Sequence, residues 1–152
     1  MDFELRVATP NDVDSIMALE TSTFTADAWS AESMSSEIAS EHTHYLVAFD
    51  PAAPEVLAGY GGLLAPEGSG EGDIQTLAVA PSARRHGLGR TLVTALLAEA
   101  ASRGAEEVFL EVRADNPNAH ALYDSLGFEQ IAVRAKYYQP DGVDAQVMRV
   151  ML

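Results

Sequence analysis

The segment from Asp73 to Phe128 constrains the fold most strongly, because it predicts a strand, a basic glycine turn, a helix, a second strand and a short helix in succession. Residues 73–80 are apolar and partly alternating, and Pro81 follows, which is typical of a strand that ends where a backbone donor is lost. Apolar residues then recur at helical spacing from Leu88 to just before Gly104, a residue type that often ends helices. A helix therefore begins directly at the glycine turn.

The glycine turn has the properties of an anion site. It consists of Arg84, Arg85, His86, Gly87, Leu88, Gly89 and Arg90. The first N–H groups of a helix lack internal partners and carry the positive end of its dipole, glycines allow close approach, and arginines add charge. A Walker loop would need a lysine after the glycines, and a dinucleotide fingerprint would need a third glycine where Leu92 stands. A phosphate-binding turn and an ordinary tight turn both fit these residues.

Length and composition predict one globular domain, residues 1–152, with a substantial core. The acidic N-terminus does not resemble a signal peptide, and no apolar run is long enough to cross a membrane. The chain has no cysteine, which excludes disulfides, thiolate zinc sites and a cysteine nucleophile. His42 and His44 lack further ligands nearby, so no metal site is predicted. These features fit a cytoplasmic protein.

The net charge of -14 bears on the kind of partner. Nucleic-acid surfaces need clustered lysine and arginine, so direct binding to nucleic acid is not expected. The charge favours a cationic partner, but net charge bears on solubility before specificity, and acidity that serves only solubility is the simpler explanation.

Flanking segments predict the remaining elements. Thr9 and Pro10 open a first helix after a strand at residues 3–7, and a second helix starts after Ser30. Further strands are expected at residues 44–50, 56–64, 129–134 and 145–151. Trp29, just before the second helix, is either the wall of a cleft or an aromatic buried between helices.

Glu111 is an acid in the otherwise apolar strand predicted at residues 106–113. Alternation places it with Phe109 and Arg113 on one face of that strand. An unpaired charge there would be costly. Two interpretations follow: an ion pair with Arg113, or a general base.

Tyr123 lies on the apolar face of the short helix predicted at residues 118–126. From the residues alone it is either a core side chain with its hydroxyl at the edge or a functional phenol.

Several motifs in order resemble the GCN5-related N-acetyltransferase (GNAT) family, in its RimI-like branch of ribosomal-protein-alanine acetyltransferases. Arg84-x-x-Gly87-x-Gly89 fits the family's pyrophosphate loop, and residues 77–79 look like its splayed strand. Residues 110–116 and 121–128 are similar to the RimI branch, and the resemblance extends to residues 134–138. Ala28 departs from the branch, whose members often have proline there.

This resemblance implies a mixed α/β fold, with a sheet of about seven strands, about four helices and a splayed central strand pair that admits the pantetheine of acetyl-CoA. It implies Glu111 as the base and Tyr123 as the acid that protonates the departing thiolate. The acetyl-CoA site would comprise Leu77, Ala78, Val79, Arg84, Arg85, His86, Gly87, Leu88, Gly89, Arg90 and Asn116. The acceptor groove would comprise Trp29, Tyr137 and Tyr138.

The RimI-like features give the acceptor hypothesis: the N-terminal alanine of a small-subunit ribosomal protein. One alternative is a small amine, such as an amino acid, a polyamine or an antibiotic. Another is a binding module that senses acyl-CoA without turnover. The sequence does not specify an oligomeric state.

Overall fold

The computed structural model describes residues 2–24 and 28–152, which form seven strands, four α-helices and two short 3-10 turns. The strands are β1 (Glu4–Val7), β2 (Thr43–Phe49), β3 (Leu57–Leu64), β4 (Glu71–Val79), β5 (Glu107–Arg113), β6 (Glu129–Tyr138) and β7 (Val143–Met151). The helices are α1 (Val13–Thr23), α2 (Ala31–Ala39), α3 (Leu88–Ser102) and α4 (Pro117–Ser125).

All seven strands belong to one sheet with the order β1-β2-β3-β4-β5-β7-β6. Neighbouring strands are antiparallel except β4 and β5, which are parallel and are connected through α3. The predicted mixed sheet is therefore confirmed. Strand β6 is longer than predicted, so Tyr137 and Tyr138 belong to it.

Helices cover both faces of the sheet. Ile16 of α1 and Met34 of α2 are fully buried in one cluster with Val47 of β2. On the other face Leu92 and Leu96 of α3 are buried in a cluster that also contains Tyr123 of α4. Successive residues of β2 enter opposite clusters, as the alternation of a two-sided strand requires. The chain thus forms three layers, with the sheet in the middle.

The central strands β4 and β5 separate part-way along their length. Their ladder joins Glu71–Asp73 to Glu107–Phe109 and goes no further, although both strands continue. Gln75 is an extra residue in β4, since Gly62 and Leu63 of β3 pair with Thr76 and Ile74 on either side of it. A bulge bends the strand that carries it. The predicted splayed pair is confirmed, with the bulge at the point where the strands part.

Local signals set the helix starts. The side chain of Ser30 caps α2 by accepting a hydrogen bond from the backbone N–H of Ser33 at 3.1 Å. Before α1, residues 10–12 form a 3-10 turn, which the sequence predicted as part of the helix itself. Asp12 accepts a hydrogen bond from the Thr9 backbone N–H at 2.8 Å.

Within the described residues, no helix has the length and apolar character needed to cross a bilayer.

Candidate active site

The gap between β4 and β5 opens into a continuous cleft with an inner and an outer part. The inner cleft is lined by Glu20, Phe24, Trp29, Ile74, Gln75, Thr76, Leu77, Leu110, Glu111, Val112, Arg113, Asn116, Ala119, Tyr123 and Tyr138. The outer groove is lined by Trp29, Asp73, Ile74, Gln75, Phe109, Leu110, Glu111, Tyr137, Tyr138, Gln139 and Val147. Glu111 lines both parts of the cleft, so it lies where they meet.

Glu111 projects from β5 on the face that the strand alternation predicts, opposite the buried Val108 and Leu110. Its side chain is 29% exposed, and its Oε1 accepts a hydrogen bond from Arg134 Nη1 at 2.8 Å. The interpretation of an ion pair with Arg113 is wrong. Arg113 instead bonds the carboxylates of Asp115 and Asp141, at 3.0 and 2.6 Å.

Arg134 reaches Glu111 from β6, across the intervening strand β7. Its guanidinium also lies 4.1 Å from the centroid of the Tyr137 ring, a cation–π contact. The base candidate is thus held on one carboxylate oxygen, and its position at the junction leaves it facing the cleft.

Tyr123 is packed in the core and also lines the inner cleft, so its position is compatible with both interpretations of the sequence. Its ring is only 8% exposed and packs edge-on against Phe128, with centroids 5.8 Å apart. Among the described residues, none is hydrogen-bonded to its hydroxyl, and the residue lines the inner cleft. Burial raises the pKa of Tyr123 to about 12, because the phenolate would be poorly solvated there. The phenol is therefore protonated at neutral pH and is available as a donor.

The edge of β4 beyond the bulge offers backbone groups to the cleft. The N–H of Ala80 donates to the carbonyl of Ala58 at 2.7 Å, so alternate residues of β4, Ala78 among them, direct their backbone groups toward β3. The backbone groups of Leu77 and Val79 consequently point to the unpaired edge, where the Val79 carbonyl accepts from Arg84 Nε at 3.2 Å. Ala78 is 4% exposed and turns no backbone group toward the slot.

The two glycines of the basic turn differ in what requires them. Gly87 has a φ of 74° at the N-cap of α3, and a Cβ there would meet nothing within 4 Å. At Gly89 a Cβ would come within 3.1 Å of the Leu122 side chain, so this glycine allows α3 to approach α4. The first helical bond runs from Thr91 N–H to the Gly87 carbonyl, which leaves the preceding N–H groups without intrahelical partners.

The charged side chains of the turn are exposed. Arg90 Nη2 donates to Ser125 Oγ at 2.7 Å, and His86 packs against the Phe3 ring. Arg85 has a φ of 67°, and no described carboxylate forms an ion pair with it. Leu88, by contrast, is 3% exposed within the core, so only its backbone could meet a ligand.

Asn116 caps α4, since its Oδ1 accepts from the Ala119 backbone N–H at 3.2 Å. It also lines the inner cleft, where a contact with CoA stays a prediction.

The aromatic residues predicted for an acceptor groove lie together. Trp29 and Tyr138 line both parts of the cleft, and Tyr137 lines the outer groove, where it is 42% exposed. The two tyrosine rings meet edge to face at 5.1 Å, and Tyr138 also stacks on the Arg113 guanidinium. Partial burial and the nearby Glu111 carboxylate raise the pKa of Tyr137. The structure therefore places Trp29 in a cleft wall.

Several residues of the cleft were not predicted, and two of them, Glu20 and Gln75, form hydrogen bonds there. Glu20 of α1 is 1% exposed and forms hydrogen bonds with Tyr60 and Thr76, and Gln75 accepts from the Tyr45 hydroxyl at 2.7 Å. The signal for Glu20 was its position four residues after Ile16, on the inward stripe of α1. In the described part of the chain, no three His, Asp or Glu side chains converge as metal ligands.

Comparison with known proteins identifies the family. Residues 13–128 match the model of the acetyltransferase (GNAT) family. The chain belongs to this family. Over 125 residues it is 39% identical to the N-alpha-acetyltransferase RimI of Mycobacterium tuberculosis, covering 81% of this chain and 75% of that protein. The RimI resemblance predicted from the motifs is thereby confirmed.

Two further matches differ in coverage. An uncharacterized protein of Mycobacterium leprae is 40% identical over 144 residues, which are 93% of this chain but only 38% of that protein. The crystal structure of the ribosomal-protein-S18-alanine N-acetyltransferase from Escherichia coli superposes with a TM-score of 0.85 at 29% identity, covering 99% of this chain and 94% of the other. The predicted GNAT fold is confirmed by this superposition.

Proposed function

We propose that this protein transfers an acetyl group from acetyl-CoA to the α-amine of a protein N-terminus, specifically the N-terminal alanine of a small-subunit ribosomal protein. The observation that carries the proposal is that Glu111 and Tyr123 line one cleft, between strands whose pairing stops at Asp73 and Phe109. Residues 1–152 act here as one catalytic domain, and the cytoplasm is the compartment that fits a ribosomal acceptor.

The chain's groups fit acetyl-CoA along a continuous path. The outward backbone groups of Leu77 and Val79 would hold the pantetheine arm as an added strand does. The unpaired N–H groups at the start of α3 and the exposed Arg84 and Arg85 would hold the pyrophosphate, and Gly87 leaves the approach open. Asn116 lies beside this path, at the start of α4.

The acid–base pair fits direct transfer. Glu111 takes a proton from the acceptor ammonium, and the freed amine attacks the thioester carbonyl, forming a C–N bond as the C–S bond breaks. Tyr123 donates its proton to the departing sulfur, and the second proton that the attacking nitrogen loses as it becomes an amide returns Tyr123 to its neutral form. A backbone N–H on the β4 edge would polarise the carbonyl oxygen. No covalent enzyme intermediate is required, which suits a chain without cysteine.

The choice of an α-amine rests on both chemistry and relatives. An α-amino group has a pKa of about 8 and a lysine about 10.4, so the ammonium of a protein N-terminus loses its proton to a base near neutral pH far more readily than a lysine does. Trp29, Tyr137 and Tyr138 form walls suited to a short peptide. The E. coli structural neighbour is named for alanine of ribosomal protein S18. A net charge of -14 also complements a basic ribosomal protein.

The test measures initial rates of CoA release from acetyl-CoA. The acceptors are a peptide with the alanine-led N-terminus of the ribosomal protein, its N-blocked twin and a panel of small amines. We expect turnover with the free peptide alone. Glu111→Gln should lose most of the rate and still bind acetyl-CoA. Turnover of a small amine but not of the peptide would refute the protein acceptor and identify a small amine as the substrate. Acetyl-CoA binding without any turnover would indicate a sensing module.

A further inference from the structure

The buried carboxyl of Glu20 connects three parts of the acceptor side of the cleft. Its Oε1 accepts hydrogen bonds from the hydroxyls of Tyr60 on β3 and Thr76 on β4, the latter at 3.1 Å. Its Oε2 accepts from the backbone N–H of Trp29 at 3.0 Å. Tyr60 and Thr76 are themselves buried in the sheet, so the carboxyl is fixed from beneath.

The bond to Trp29 reaches out of the core. Trp29 lies in the connection between α1 and α2, outside any regular element, and its side chain is partly buried. Such connections have no ladder of backbone hydrogen bonds to hold them. The Glu20 carboxyl is therefore a point at which this connection is attached to the sheet.

The attached residue forms part of the acceptor wall. Trp29 lines both the inner cleft and the outer groove, in common with Glu111. A large aromatic wall contributes to binding only while its position is fixed, because ordering it at each binding event costs entropy.

We propose that Glu20 is a positioning residue, which fixes Trp29 in the cleft wall through the bond to its backbone N–H and so sets the affinity for the acceptor. The attachment itself is independent of the reaction, whereas its consequence for the acceptor rests on the proposed function. Glu20 has no role in this scheme at the reacting atoms or at the β4 edge, so acetyl-CoA binding should not depend on it.

The choice of substitutions follows from the donors around Glu20. Glu20→Met keeps the length of the side chain and removes both carboxylate oxygens, leaving a thioether sulfur that accepts hydrogen bonds only weakly. Glu20→Gln keeps one oxygen for the Trp29 N–H, which can only donate, and its NH2 can donate to the Tyr60 and Thr76 hydroxyls, which can also accept. The glutamine variant should therefore rescue what the methionine variant loses. Ile16→Val, on the same helix and fully buried, is the control for a loss of core stability alone.

The readouts use the fact that Trp29 is the one tryptophan of the chain. The two readouts are acrylamide quenching of its fluorescence in the protein without substrates, and the KM values for the alanine-led peptide and for acetyl-CoA. Glu20→Met should raise the quenching constant and raise the acceptor KM about tenfold, as expected for one lost hydrogen bond to a carboxyl group. The acetyl-CoA KM should stay within about twofold, and Glu20→Gln and Ile16→Val should resemble the unmodified enzyme in both readouts.

Hydrogen exchange of the Trp29 amide in the unmodified protein needs no variant. The amide should exchange slowly, like an amide in a helix, and free exchange would overturn the attachment even if Glu20→Met failed to fold. A folded Glu20→Met protein with unchanged quenching, or with equal rises in both KM values, would also overturn the proposal. If the unmodified enzyme acetylates no peptide, the proposed function fails instead, and exchange and quenching still decide the attachment.

Discussion

Replacing Tyr123 by phenylalanine separates the acid role from the packing role, because it removes one oxygen and leaves the ring. The ring's edge contact with Phe128, at 5.8 Å between centroids, is retained. No described residue is hydrogen-bonded to the hydroxyl, so the free energy of unfolding should change by less than about 0.5 kcal/mol. The loss of a general acid should lower kcat about a hundredfold, equivalent to about 2.7 kcal/mol in the barrier.

The pH dependence of the unmodified enzyme gives a second arm to this prediction. Burial disfavours the phenolate and raises the pKa of Tyr123 to about 12, so the acid keeps its proton as the pH rises. The kcat should therefore show no alkaline fall caused by this group below about pH 11.

The assay is steady-state CoA release at saturating substrates, with urea unfolding of each variant. Tyr45→Phe is the matched control, because it deletes the hydroxyl of another buried tyrosine that does have a partner, Gln75 at 2.7 Å. It should lose about 1 kcal/mol of unfolding free energy and keep kcat within about threefold. The reasoning is refuted if Tyr123→Phe keeps kcat within about threefold, or loses it together with more than about 1 kcal/mol of stability.

Three further changes test other parts of the structure. Arg85→Gln should raise the KM for acetyl-CoA about fivefold at low salt and less at high salt, with the peptide KM unchanged, because Arg85 is an exposed charge at the turn. Asp12→Asn should lower the free energy of unfolding at pH 7 by about 1.5 kcal/mol, since Arg6 holds this carboxylate by two bonds of 2.8 Å. Those bonds lower the pKa of Asp12, so the stabilisation is complete above about pH 4 and is lost on acidification through the folded pKa. Urea unfolding at pH 7 should therefore distinguish Asp12→Asn from the unmodified protein, and urea unfolding below the folded pKa should show equal stabilities. Gly62→Ala should lower the free energy of unfolding by about 2 kcal/mol in the same assay, because its Cβ would lie 2.3 Å from Cζ of Tyr45. Unchanged stability would contradict the close packing of Tyr45 against Gly62.

The face of Glu111 could be predicted from the sequence, but its ionic partner could not. Alternation within β5 is a local property, and it correctly separates Glu111 from Val108 and Leu110. The partner depends on β7 lying between β5 and β6, which brings Arg134 to Glu111 from 23 residues away. Spacing along the chain suggested Arg113 instead, because the distance between two residues in the sequence does not reveal the order of the strands in the sheet.

The glycine turn shows a similar division. Its place at the start of α3 followed from the periodicity after Leu88, and the N-cap at Gly87 agrees with it. The need for glycine at position 89 could not be predicted from the sequence, because it comes from the Leu122 side chain of α4, which packs close to this position. A motif thus located the turn, whereas only the packed structure distinguishes a glycine required by the backbone from one required by a neighbour.

The bulge in β4 explains why the unpredicted residues cluster where they do. Gln75, the extra residue, accepts a hydrogen bond from Tyr45 of β2, and the adjacent Thr76 donates to Glu20 of α1. Both bonds lie at the bent part of β4, from which the slot between β4 and β5 opens. The Glu20 carboxyl also holds Trp29 through its other oxygen. The position of the acceptor wall therefore depends on buried polar groups beside the bulge, and Glu20 can join them because its side chain carries two polar atoms, one for the sheet hydroxyls and one for the Trp29 N–H.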